Sequence, residues 1–192
     1  MPAGGTVTDY VRTTDFQTGE VSVRWRNDNG GYARRLFVSR PDDVAVLSIT
    51  RPGAQRIDAT IVTPPIEHEL MESELRVDQN WITYHNAYTQ SPGGYASAVR
   101  VVVKEGRIRN NGQKIIVTDA SEVLLLMGVK WHKKLEADSV EVLKKKLSAL
   151  PADYEKLLRP HAEAHGRIFN RATLDLGGGD DRRKTAEELL KA

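Results

Sequence analysis

Apolar and polar residues alternate with period two through most of the first 130 positions, and turn-forming clusters interrupt the alternation at short intervals. The stretch 21–50, VSVRWRNDNGGYARRLFVSRPDDVAVLSIT, is the clearest case. Val21, Val23 and Trp25 alternate with Ser22, Arg24 and Arg26, the period of a half-buried strand. Asn27-Asp28-Asn29-Gly30-Gly31 supplies residues that tolerate positive φ, as a hairpin turn requires. The return arm puts Tyr32, Leu36 and Val38 on one face, with Arg34 interrupting the stripe. Arg40-Pro41-Asp42-Asp43 makes the next turn, and residues 44–50 form a third arm.

The same grammar continues. Residues 10–16 read as an earlier strand, and residues 56–63 alternate until Pro64-Pro65 stops them. Between 66 and 81, Ile66, Leu70, Leu75 and Val77 fit short strands with polar interruptions. The segments 81–88 and 95–103 follow, and Asn110-Asn111-Gly112 is a strong hairpin turn. VLLLMGVK at 123–130 is apolar on both parities, the pattern of a central strand buried on both faces. Strands this short with turns this frequent predict an antiparallel sandwich over about residues 6–131.

After Trp131 the period lengthens. Asp138-Ser139 can cap a helix whose stripe is Val140, Leu143, Leu147 and Leu150. Pro151 stands where a second helix can begin. Tyr154, Leu157, Leu158, His161, His165, Ile168 and Phe169 recur along it at helical spacing and form one face, with Pro160 predicting a kink. Residues 171–176 read as extended and Gly177-Gly178-Gly179 as a joint. Thr185 and Glu188 form a capping box for a short helix over 186–191. The chain therefore divides into a β-sandwich domain, 1–131, and a helical region, 132–192.

Composition narrows the function classes. The chain has 192 residues, 40% hydrophobic and 28% charged, which suits a globular domain. A net charge of +2 gives no nucleic-acid footprint. With no cysteine there is no thiolate chemistry or disulfide framework. No apolar run is long enough to span a membrane, and the opening MPAGGTVTDY shows no signal peptide. His161 and His165 lie four apart, but as H-x-E-x-H without a third ligand, so packed histidines are expected and no metal. The run Lys144-Lys145-Lys146 lies between Leu143 and Leu147 and reads as a solvated helix face. The triple glycine precedes Asp180-Asp181 and lacks the phosphate-loop form. No cofactor is implied. Trp81, Tyr84, Tyr88 and Tyr95, with His85, are the candidates for a sugar-stacking platform, although alternation sends neighbours to opposite faces. Asp42, Asp43, Glu72 and Glu105 sit in turns or polar stretches, without the paired geometry that glycoside cleavage needs.

Several motifs carry a family resemblance. Tyr32, Arg34, Phe37, Ser39, Pro41 and Asp42 form Y-x-R-x-x-F-x-S-x-P-D, preceded by 10–16 and Thr18-Gly19. At the other end, Leu157-Leu158-Arg159-Pro160-His161 leads through Phe169-Asn170-Arg171 to Leu174-Asp175-Leu176-Gly177. In order and spacing these resemble the N-terminal β-sandwich domain and linker helices of glycoside hydrolase family 95, the α-L-fucosidase type. The resemblance implies a supersandwich-like, galactose-mutarotase-like fold, and a catalytic (α/α)6 barrel as partner. It also implies a periplasmic or secreted parent. The family's catalytic acid, base and asparagines belong to that barrel, so no catalytic residue carries over to a position here. The expected role is a non-catalytic fragment that braces the barrel, the alternative a free-standing carbohydrate-binding or assembly module. Without a barrel, the helix face around Tyr154, Leu158 and Phe169 is expected either to self-associate or to pack back on its own sheet.

Overall fold

The computed structural model describes residues 6–53, 55–174, 179 and 184–190. The chain is mainly β, an antiparallel sandwich followed by helices. The strands are β1 (Thr8–Asp15), β2 (Glu20–Asn27), β3 (Gly30–Ser39), β4 (Val44–Thr50), β5 (Ile57–Val62), β6 (Met71–Asp78), β7 (Trp81–Tyr88), β8 (Gly94–Lys104), β9 (Arg107–Asn111), β10 (Lys114–Ala120) and β11 (Glu122–His132). The helices are α1 (Ser139–Ala149), α2 (Tyr154–Phe169) and α3 (Ala186–Leu189).

The large sheet has eight strands in the order β1-β2-β3-β4-β11-β8-β7-β6, and the small sheet three, β5-β10-β9. Neighbours in the first meander pair through the predicted turns, Trp25 opposite Tyr32 and Phe37 opposite Val46. The last strand, β11, closes the sheet by inserting between β4 and β8, with Leu125 opposite both Leu47 and Val101. That central place accounts for the unbroken apolar run from Val123 to Gly128, which is covered on both faces.

Two cores result, one on each face of the large sheet. On the outer face Phe37, Val46, Leu124 and Leu126 meet Leu143 and Leu147 of α1 and Tyr154, Leu157 and Leu158 of α2. On the inner face Ile82, Tyr84, Val101, Val123 and Leu125 meet Ile57, Ile115 and Val117 of the small sheet. Arg100 fastens α1 by donating to the carbonyls of Leu147 (3.1 Å) and Leu150 (3.3 Å), the acceptors a helix C-terminus leaves open.

The helix starts differ from expectation. Asp138 is itself in helical conformation and makes no capping bond. The Ser139 hydroxyl instead accepts from the Glu136 N–H at 3.2 Å. The second helix begins at Tyr154 rather than Pro151, because extended Asp153 caps it by accepting from the Lys156 N–H at 3.0 Å. It runs unbroken through Pro160, whose missing N–H lies on an exposed side of the helix. The capping box forms as read: the Thr185 hydroxyl accepts from the Glu188 N–H, and the Glu188 carboxylate accepts from the Thr185 N–H. The extended piece at 171–176, the triple-glycine joint and Asp180-Asp181 fall wholly or partly outside the described residues.

Most of the apolar stripe of α2 lies on the chain's own sheet. Tyr154, Leu157, Leu158 and His161 are buried against the chain's own sheet, so Tyr154 and Leu158 are not uncovered. Their spacing matches the outer face of β3 and β4, where Phe37 sets its ring edge-on to Tyr154 and stacked on His161. His165 is half-buried, and only Ile168 and Phe169 at the helix end stand out, 53% and 45% exposed.

Candidate carbohydrate-contact face

The four aromatic residues singled out from the sequence do not share one surface. Trp81 is on the outer face, in a groove of about 350 Å³ between β6, β7 and α1, where the Lys144 ammonium stands 5.6 Å from its ring centre. Tyr84 is enclosed in the inner core, and its hydroxyl bonds to the Thr63 hydroxyl (2.7 Å) and the Pro64 carbonyl. It has no free ring to offer a ligand, which corrects the expectation for that residue. Period two explains the split, since positions 81 and 84 differ in parity.

Tyr88 and Tyr95 do fall together, on the inner face. Burial raises the Tyr95 phenol above its ordinary pKa, and the neighbouring Tyr88 and Tyr84 phenols add to the shift. The strand register shows what joins them. Ser73 is opposite Asn86, Asn86 opposite Tyr95, and Tyr95 opposite Trp131, so one row crosses β6, β7, β8 and β11. Residues opposite one another across strands share a face. Trp131 is 61% exposed, and Val129, two residues before it on the same face, 66%. Asn86 is fully buried. Its carbonyl oxygen accepts from the Ser73 hydroxyl at 2.5 Å, while its Nδ2 has no protein acceptor. The exposed Trp131 ring beside Tyr95 is chemistry suited to a sugar, whose faces are apolar and whose edge is hydroxyl, while buried Asn86 belongs to the interior of the row.

The sequence reading missed Trp131 and Asn86. It ended the last strand at Lys130. Carrying the alternation of Val123, Leu125, Met127 and Val129 one step further reaches Trp131 on the inner face. The β7–β8 approach is fixed by Gly94, where an added Cβ would run into the Asn86 carbonyl.

The acidic residues in turns have structural partners. Asp42 accepts from the Ser39 hydroxyl at 2.7 Å, Asp43 lies 3.7 Å from the Lys146 ammonium, and Glu105 accepts from Arg56 at 2.6 Å. Glu72 is exposed on the edge strand β6. The helix histidines also have structural partners. The His161 Nδ1 accepts from the Arg40 N–H at 3.2 Å, and the His165 Nδ1 accepts from the Arg40 Nε–H at 3.3 Å. The other His165 nitrogen donates to the Phe16 carbonyl at 3.0 Å. Among the described residues no group of three or more potential ligands could hold a metal ion.

Residues 1–131, the whole length of the predicted sandwich, match the family described as "Glycosyl hydrolase family 65, N-terminal domain". The chain belongs to this family. The glycoside hydrolase N-terminal sandwich expected from the motifs is thus shown, by a family-65 match that does not reach family 95 or the fucosidase type. None of the curated proteins compared with the chain matches it. Among solved structures, the family-65 N-terminal domain resembles "Putative kojibiose phosphorylase from human microbiome", with a TM-score of 0.57 and 13% identity, over 86% of this chain and 25% of that one. It also resembles a bacterial glucoamylase solved with acarbose, with a TM-score of 0.53 and 10% identity, over 85% of this chain and 29% of that one. At such identities the likeness is one of fold. The chain spans between a quarter and three-tenths of either structure.

Proposed function

We propose that this family-65 N-terminal domain is a non-catalytic part of a glycoside hydrolase, its sandwich joined by a linker over 132–192 to an (α/α)6 catalytic barrel that it braces. The observation that carries the brace is the end of α2. The helix is seated on its own sheet from Tyr154 to His161, yet presents Ile168 and Phe169 to solvent. An exposed apolar pair on an otherwise seated helix suits a following domain. Within this reading an α-L-fucosidase-type parent is supported by the motifs at 32–42 and 157–177.

The assay is turnover of an aryl α-L-fucoside and of a 2′-linked fucosyl oligosaccharide by the purified chain, with none expected. Glycoside cleavage needs an acid and a base fixed on opposite sides of the bond. The acids found here brace turns or stand exposed. Turnover that survives repurification and is lost when one carboxylate becomes its amide makes the chain an enzyme. A reading frame that stops at Ala192 removes the covalently linked barrel.

The second reading, a carbohydrate-contact module, is favoured by exposed Trp131 set beside Tyr95. Titration of the Trp131 fluorescence with fucosyl and glucosyl oligosaccharides tests it. No change with either class removes it.

A further inference from the structure

Adjacent arginines on β3 point to opposite faces of the large sheet and meet opposite circumstances. On the outer face Arg35 donates to Glu20 at 2.7 and 2.9 Å and to Glu155, and lies over the Tyr154 ring. On the inner face the Arg34 guanidinium lies 4.9 Å from the Trp25 ring centre, and its Nε is buried without an acceptor. Among the described residues no carboxylate forms an ion pair with Arg34. Burial holds its pKa below the usual value for arginine. A half-buried cation without a counter-ion is costly, and a single ring face offsets only part of that cost.

Arg34 lines a cleft of about 460 Å³ between the two sheets, a volume in the range of small-molecule sites. Its floor is Trp25, Tyr32, Arg34 and Ile49, and β5 and β10 form its roof with Ile57, Ile61 and Val117. One acid, Asp58, stands at the rim. It is exposed, alternates away from the inward-facing Ile57 and Ala59, and accepts from the Asp119 N–H at 2.9 Å. The Trp25 ring is engaged by Tyr32, stacked at 5.2 Å, and by Arg34 at 4.9 Å. Arg51, the other cation nearby, is engaged over Tyr32 and with the carbonyls of Gly31 and Arg56. The cleft therefore offers one cation without a paired carboxylate among the described residues, branched aliphatic inner walls, and aromatic rings already engaged by neighbours.

We propose that this cleft binds a small carboxylic acid with an apolar body, its carboxylate on Arg34 and its body against Ile49, Ile57, Ile61 and Val117. Sugar acids fit less well, because the polar lining residues Asp58, Thr60 and Thr118 are exposed, while the inner walls Ile49, Ile57, Ile61 and Val117 return no hydrogen bonds to hydroxyls stripped of water. The site is independent of any carbohydrate contact at Trp131.

The test is amide NMR titration of the chain with sodium octanoate, octanamide and sodium glucuronate. Octanoate should shift resonances of residues around 25, 34 and 57–61, and octanamide should bind about tenfold more weakly, the scale of one charge-assisted hydrogen bond. Glucuronate should leave those resonances in place. Arg34→Gln should bring octanoate down to the affinity of the amide and leave the amide unchanged. Equal binding of acid and amide by the unaltered chain overturns the proposal without any variant. So does octanoate binding confined to the Trp131 face, or glucuronate binding in the cleft.

Discussion

The two faces of the large sheet are built from the same strands but finished differently. The outer face is covered at its centre by two helices, and Phe37, Val46 and Leu126 are buried there with Leu143, Leu147 and Leu157. The inner face supports eight strands with a cover of only three. It leaves Val38, Val129 and Trp131 exposed, and Arg34 half-buried without an ion-paired carboxylate among the described residues. Closure by α1 and α2 supplies stability, and the incomplete cover leaves chemistry on view. In a sandwich with this asymmetry, candidate ligands belong to the face with the smaller lid.

The largest effect that can test this contrast is a cavity. Leu147→Ala, in the fully buried stripe of α1, should cost about 2–5 kcal/mol in urea unfolding, the range of large-to-small core changes. Val129→Ala on the inner face should stay within about 0.5 kcal/mol, as open surface does. Comparable losses at the two positions would mean that the inner face is covered in solution.

The adjacent arginines sharpen the contrast at the next scale. Arg35→Met leaves Glu20 without its partner and should cost about 1–2 kcal/mol, a charged hydrogen-bond loss reduced by partial exposure. Arg34→Met removes a cation that pairs with no described acid, and should be neutral or stabilising in the same measurement. A loss at Arg34 as large as that at Arg35 would show that the free chain already satisfies it.

Most of the fold was legible because its signals are local. Each hairpin of the first meander is fixed by alternation and by a turn cluster such as Asn27 to Gly31 or Pro41 to Asp43. The split of strands between two sheets was not legible, since the pairing of β11 with β4 joins residues some 75 positions apart and leaves no local mark. The candidate site was half legible. Tyr88 and Tyr95 were found by residue type, but Tyr84 looks equally suitable until its enclosure by the small sheet is seen. Arg34 appeared only as a break in a stripe, because its want of a partner depends on which strands face it.

A smaller effect should follow pH. His161 is 3% exposed, and its Nδ1 accepts from Arg40, so its proton sits on Nε2. Burial, then His165 and Arg40, hold its pKa below the ordinary 6.5 of histidine. The unfolded chain therefore takes up a proton at a higher pH than the folded one. The stabilisation is full above about pH 6.5 and is lost progressively as pH falls through the ordinary value toward the folded one. Thermal unfolding from pH 7.5 down to 5 should show this fall, and His161→Leu should flatten the profile. An unchanged slope in the variant would assign the acid sensitivity to carboxylates.

The smallest effect on stability should come at Trp131, and there the inner face is tested as a surface for ligands. The ring is largely exposed, and the register sets it beside Tyr95 at the end of the row that contains buried Asn86. A residue retained for packing would be destabilising to remove, whereas an exposed one is not. Trp131→Ala should therefore leave the unfolding midpoint within about 0.5 kcal/mol of the parent. If the row meets sugar, the same change should weaken oligosaccharide binding several-fold, on the scale of about 0.5–1.5 kcal/mol for one aromatic contact. Trp131→Phe should recover part of the affinity. Tyr84→Phe should leave it unchanged, because that hydroxyl is committed to Thr63 and Pro64 below the surface. Loss of stability without loss of binding would reverse the assignment and make Trp131 part of the core, leaving the cleft at Arg34 as the inner face's remaining candidate site.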